Sequence, residues 1–125
     1  MTGQLIYVAH PYGGDGKNKA SIDDIMKDLV LKDKYNTYLS PIHNFSMVYF
    51  EKRYAKGLEI CLDMLDKCSI LILCGDWQKS RGCIGEWAFA KAMGHKIIHL
   101  MNGKHTLKHK GILVDDRKGI FKSNS

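Results

Sequence analysis

Three short apolar runs punctuate the chain: Leu5-Ile6-Tyr7-Val8-Ala9, Ile70-Leu71-Ile72-Leu73-Cys74 and Lys96-Ile97-Ile98-His99-Leu100. They are mostly continuous rather than alternating, which is the pattern of strands covered on both faces of a parallel sheet. A weaker run, Thr37-Tyr38-Leu39, precedes Ser40-Pro41, and residues 111–114 predict an added edge strand. Between the runs, apolar residues recur at helical spacing. Ile22, Ile25, Met26 and Leu29 predict a helix over 19–31, with Ser21 and Asp23 near its start. Tyr54, Leu58, Cys61, Leu62 and Leu65 predict a second over 51–67. A third, over 82–93, ends at Gly94, a residue suited to the left-handed turn that stops a helix.

Strands alternating with helices make this an α/β chain, a single-domain sandwich of the Rossmann or flavodoxin-like kind with a mainly parallel sheet of four to five strands. In such sheets ligands collect beyond the carboxyl ends of the strands. Three loops therefore matter: 10–18 after the first strand, 40–46 after the second and 75–86 after the third.

Composition narrows the class. At 125 residues the chain is long enough for one core and too short for two. Its 45% hydrophobic and 26% charged content is that of an ordinary soluble domain. No apolar run approaches the roughly 18–20 residues of a membrane helix, and the first residues do not read as a signal peptide, so the expected location is the cytoplasm. Cys61, Cys68, Cys74 and Cys83 form no CxxC pair and have no histidine at zinc-ligand spacing, and they read as small core residues. The net charge of +6 is uneven, residues 104–125 holding six Lys or Arg against two Asp. That basic extension is either a solvated surface or an anion-binding one. A single aromatic residue within it, Phe121, argues against nucleic acid as the partner, and a small phosphorylated ligand suits the charge equally well.

Two loops carry candidate chemistry. The first reads His10-Pro11-Tyr12-Gly13-Gly14-Asp15-Gly16-Lys17-Asn18. Its glycines permit a tight turn that presents backbone N–H groups, and Lys17 adds a positive charge, so it either holds a phosphate or sugar hydroxyl or is only a turn. It is neither GxGxxG nor a Walker A sequence. The second reads Gly75-Asp76-Trp77-Gln78-Lys79-Ser80-Arg81-Gly82-Cys83-Ile84-Gly85-Glu86. Glu86 lies near the start of a helix that is apolar nearly all round and is therefore expected to be buried. A carboxylate there either opens onto a cavity or finds a partner, since burying it alone is costly; otherwise it complements the helix dipole. Gly82 and Gly85 favour the cavity, because they clear side chains from the carboxylate.

Tyr7 in the first strand, the glycine-bearing loop after it and Ser80-x-Gly82-x-x-Gly85-Glu86 opening a helix together resemble the nucleoside 2-deoxyribosyltransferase superfamily. The run from Cys68 to Leu73, with Gly75-Asp76-Trp77 and Ser80-Arg81-Gly82, is closer still to its small uncharacterised bacterial and phage relatives. The resemblance spans about residues 5–100. It implies that Glu86 is a nucleophile attacking C1′ of a 2-deoxyribosyl group through an oxocarbenium-like transition state, with water or a second base resolving a covalent glycosyl-glutamate. Tyr7 is implied to lie beside Glu86 and position it. Six residues before the glutamate the transferases carry an aspartate for the sugar 5′-hydroxyl. Ser80 stands there instead, as serine does in the deoxynucleoside 5′-monophosphate N-glycosidases, where it binds phosphate. An aspartate would repel that phosphate and a hydroxyl can donate to it.

Lys17, Lys79 and Arg81 are basic candidates to assist, and His10, Gly13, Gly14, Asp76 and Gly82 join the expected substrate site. The family aspartate that protonates the departing base corresponds to Cys61. Its task would pass to His43, His10 or Asp76, with His43 favoured by loop position, or catalysis is lost and a nucleotide-binding module remains. A larger nucleotide derivative is also open. The implied chemistry needs no metal or organic cofactor, and relatives are commonly homo-oligomers, so a dimer or larger assembly is expected.

Overall fold

The computed structural model describes residues 3–13, 15–45, 54–100, 113–115 and 120–122. Strands β1 (Leu5–Ala9), β2 (Thr37–Leu39), β3 (Ile70–Cys74) and β4 (Lys96–Leu100) form one sheet in the order β2-β1-β3-β4, every pairing parallel. Helices α1 (Gly16–Lys32), α2 (Pro41–Phe45), α3 (Tyr54–Asp66) and α4 (Arg81–Met93) connect them. The four apolar runs are the four strands, and the architecture is the expected flavodoxin-like α/β sandwich.

Alternation along the strands builds two cores. Ile6, Val8, Ile70, Ile72, Cys74 and Ile98 point to one face, where Ile22 and Leu29 of α1 cover them. Tyr7, Ala9, Leu71 and Leu73 point to the other, against Leu65 of α3 and Cys83 and Ala90 of α4. A sheet so covered on both faces explains why its strands read as continuous apolar runs. From β1 the chain crosses outward to β2, then returns to place β3 on the other side of β1. The loops leaving β1 and β3 thus diverge, and that switch point opens a crevice at the strands' carboxyl ends.

Three expectations are corrected, and a fourth falls partly outside the described residues. Helix α1 starts at Gly16, not Lys19, because Asp15 caps it by accepting a hydrogen bond from the Lys17 N–H at 2.7 Å. Helix α3 runs over Tyr54–Asp66, residues 51–53 of the expected helix lying outside the described ones. The expected edge strand is β5 (Leu113–Asp115), which pairs antiparallel with β6 (Ile120–Lys122) and not with the main sheet. Helix α4 is not buried all round. Cys83, Glu86 and Ala90 face inward, but Ile84 is 41% and Met93 55% exposed. Its composition misled because alanines and scattered large apolar residues sit in water at little cost. Gly94 does end the helix, at φ 78° in the left-handed region. No helix among the described residues is long and apolar enough to cross a membrane.

Candidate active site

The crevice holds an open cavity, to which each flanking element contributes. The loop after β1 supplies His10, Tyr12 and Gly13, and α2 supplies Pro41, Ile42 and Phe45. Gly57, Leu58 and Cys61 enter from α3, and Ser80, Gly82, Cys83 and Glu86 from the start of α4. Ser80 caps α4, its Oγ accepting from the Cys83 N–H at 3.2 Å. This cap fixes the first turn, so Gly82, Cys83 and Glu86 fall along the helix side that meets the cavity and core.

Glu86 is 5% exposed. Its partner is Tyr7, fully buried in β1, whose hydroxyl donates a short hydrogen bond to Oε2. Burial drives the Glu86 carboxyl up to about 7, and the Tyr7 bond opposes the rise only in part. Burial beside that carboxylate holds the Tyr7 hydroxyl well above its ordinary range, so it stays protonated and remains a donor. Around them the thiols of Cys61 and Cys83 are also raised by burial, to about 11 and about 12, and both are protonated at neutral pH. The carboxylate is therefore buried among the uncharged groups of Tyr7, Cys61 and Cys83 and also lines the cavity.

His10 is a strut as well as a lining residue. Nδ1 lies 2.7 Å from the Pro11 carbonyl, which can only accept, so Nδ1 carries the proton and Nε2 accepts from the Ser21 hydroxyl at 3.0 Å. Burial lowers its pKa and favours this neutral form. His43 is not turned to the cavity as its loop position predicted. Nδ1 bonds Ser40 Oγ at 2.8 Å and Nε2 bonds Asp23 Oδ1 at 2.5 Å, tying α2 to α1. Lys17, Asp76 and Arg81 also lie outside the cavity lining, all three exposed on the loops or helix starts around it. Gly14 is outside the described residues. The structure thus brings Glu86, Tyr7, His10, Gly13, Ser80 and Gly82 together and leaves Lys17, His43, Asp76 and Arg81 away.

Gly85 plays a different part from the one expected. A Cβ at that position would meet the Leu58 methyl groups at 3.1 and 3.3 Å, so its missing side chain lets α3 pack closely on α4. Gly82 is the glycine that borders the cavity. Tyr12, Ile42, Phe45 and Leu58 form apolar walls that no sequence motif marks. Cys61 stands at the cavity too, a position that only the resemblance implies. Among the signals present, only the apolar positions of α3 at helical spacing marked that wall, and they mark core equally well. Among the described residues no group of three or more ligating side chains is placed to hold a metal ion.

No curated protein matches the chain in sequence. In structure it is similar to a 2-desoxiribosyltransferase from Leishmania mexicana, with a TM-score of 0.57 and 17% identity over 97% of this chain and 79% of that one. At that identity the likeness is one of fold. A family model, described as a domain of unknown function (DUF4406), matches residues 5–99, and the chain belongs to that family.

Proposed function

We propose that the protein is a nucleoside 2-deoxyribosyltransferase-like N-glycosidase that acts on a (deoxy)nucleotide, a 5′-monophosphate by preference, through a covalent glycosyl-glutamate at Glu86. One observation carries this reading: a buried carboxylate, oriented by the Tyr7 hydroxyl, edges an open cavity at the switch point of the sheet. A carboxylate in a dry site stabilises a developing oxocarbenium ion more strongly than it would in water, because its field is little screened. Tyr7 holds one oxygen and leaves the other for C1′. Similarity of fold to a 2-desoxiribosyltransferase agrees with the reading.

For the phosphate, support comes from Ser80 at the start of α4, whose side chain caps the helix and lines the cavity where the positive end of the helix dipole favours an anion. The substrate is then anchored by its phosphate while the sugar lies over Gly82 and the base against the apolar wall from α2 and α3. A homo-oligomer in the cytoplasm remains part of the proposal. The second reading, a binding module without catalysis, is favoured by Cys61, a thiol that keeps its proton where an acid would be needed.

Chromatography of free base after incubation with deoxynucleoside monophosphates and their nucleosides tests both, beside Glu86→Ala. Base release that disappears in the variant, with an intact-mass increase of one sugar phosphate trapped on the wild type, supports the enzyme. Saturable binding with no release supports the module, and neither binding nor release overturns the function.

A further inference from the structure

Every proton-bearing group described on the cavity wall is unsuited to protonate a departing base. Glu86 is the attacking group on the reading above, on which this inference rests. His10 has committed its one ring proton to the Pro11 carbonyl, and its other nitrogen accepts from Ser21. The thiols of Cys61 and Cys83 release protons only near pH 11 and 12. Tyr12 and Ser80 contribute only hydroxyl groups, and the Ser80 oxygen already accepts from the Cys83 N–H. The carboxylate and imidazole that could have served, Asp76 and His43, lie outside the lining, His43 with both ring nitrogens bound to Ser40 and Asp23. Among the described lining residues, Glu86 supplies the carboxylate and Tyr12 and Phe45 two aromatic rings, with no Lys or Arg. Such walls attract a positively charged ring.

We propose that the site is built for N-glycosides whose aglycone is a cation and leaves as a neutral ring, such as pyridinium nucleotides or N7-alkylated purine nucleotides. The chemistry balances without an acid. A Glu86 oxygen forms a bond to C1′ as the C1′–N bond breaks, and the bonding pair moves onto the ring nitrogen, cancelling its positive charge. Water then adds to C1′, the C1′–O bond to Glu86 breaks with its pair returning to the carboxylate, and one proton passes to solvent. An ordinary purine or pyrimidine would leave as an anion from this site unless protonated first, which makes it the poorer substrate. A zwitterionic mononucleotide fits both ends: its phosphate at Ser80 and the α4 start, its cationic ring against the aromatic wall, with Glu86 on the opposite face of C1′.

The test uses matched pairs with the full chain. GMP is compared with N7-methyl-GMP, and nicotinamide mononucleotide with its reduced, uncharged form, all corrected for uncatalysed loss and repeated with Glu86→Gln. The expected result is kcat/KM at least 100-fold higher for each cation than for its neutral partner, with turnover lost in the variant. Binding to Glu86→Gln, which leaves only the aromatic wall, is measured by calorimetry and is expected to weaken several-fold when the ring charge is removed, a preference that a further Phe45→Leu change reduces. A pair in which only the pyridinium or only the alkylated purine is cleaved identifies the source and still supports the proposal. Cleavage of GMP within tenfold of N7-methyl-GMP overturns it while leaving glycosyl transfer at Glu86 intact. Absence of cleavage for every compound overturns both.

Discussion

Glu86 gives the site its reactivity and costs the fold stability through the same burial. Its carboxyl titrates near 7 in the folded protein and near 4.5 in the free side chain. Between those values the native state holds a proton that the unfolded chain has lost, so stability falls as pH rises through that window and levels off above it. That rise corresponds to about 3 kcal/mol at pH 8. Glu86→Gln keeps an oxygen for the Tyr7 hydroxyl and carries no charge. Thermal unfolding should show it more stable than the wild type at pH 8 by an amount of that order and nearly equal at pH 4.5; a pH-independent difference would refute the assignment. Activity runs the other way, because the attacking form is the ionised one. With Tyr7, Cys61, Cys83 and His10 as the titratable neighbours, kcat/KM should rise with pH through a midpoint near 7 and then stay level. Tyr7→Phe removes the bond that holds the carboxyl down, so its midpoint should move above 7, with the largest loss of rate on the acid side. A variant profile superimposable on the wild type's would show that Tyr7 does not tune Glu86.

At the scale of elements, the start of α4 serves two purposes that substitution can separate. Ser80 caps the helix and faces the cavity. Ser80→Ala loses the cap and should cost about 1 kcal/mol. Ser80→Asp retains a good cap and adds a negative charge where a 5′-phosphate is proposed to sit. Its melting temperature should stay within a few degrees of the wild type, while KM for monophosphates rises at least tenfold and KM for the matching nucleosides changes little. Equal effects on phosphates and nucleosides would remove Ser80 from the phosphate site. Elements also show what the sequence could and could not reveal. Strands buried on both faces announce themselves as unbroken apolar runs, so β1, β3 and β4 were legible to the residue. The cap at Asp15 was masked by the glycines on either side, which suggested a longer loop. The apolar content of α4 speaks to composition and not to facing, so it does not reveal that Ile84 and Met93 are exposed. Glu86 was legible because an acid in an apolar helix demands an explanation. The place of His43 is not legible because chain position fixes a loop but not a rotamer, and Asp23, far away in sequence, holds its ring.

Across the whole molecule, function and support lie at opposite ends of the same strands. The cavity occupies the carboxyl ends, where the loops diverge. At the other end α1 stops at Asp33, which is buried and accepts from the Tyr35 and Asn36 N–H groups at 2.9 and 3.3 Å. The Asn36 side-chain amide donates to it at 2.9 Å, and the Tyr38 hydroxyl makes a further short bond. This knot sets where β2 begins, and β2 in turn delivers Ser40 and α2 to the cavity. Unlike Glu86, Asp33 accepts from four donors, and the cluster stabilises the turn. Asp33→Ala would strand those donors in a buried place at a cost of about 3 kcal/mol or more. For a domain of this size that is a fall in melting temperature of roughly 10 °C. Below the transition, turnover per folded molecule should match the wild type, because no group at the cavity changes. The sites share no partner, so Asp33→Ala combined with Glu86→Gln should give additive stability changes of opposite sign at pH 8. A strong departure from additivity, or a loss of turnover in Asp33→Ala well below its melting point, would mean that the knot shapes the cavity directly and that the two ends of the sheet are one unit.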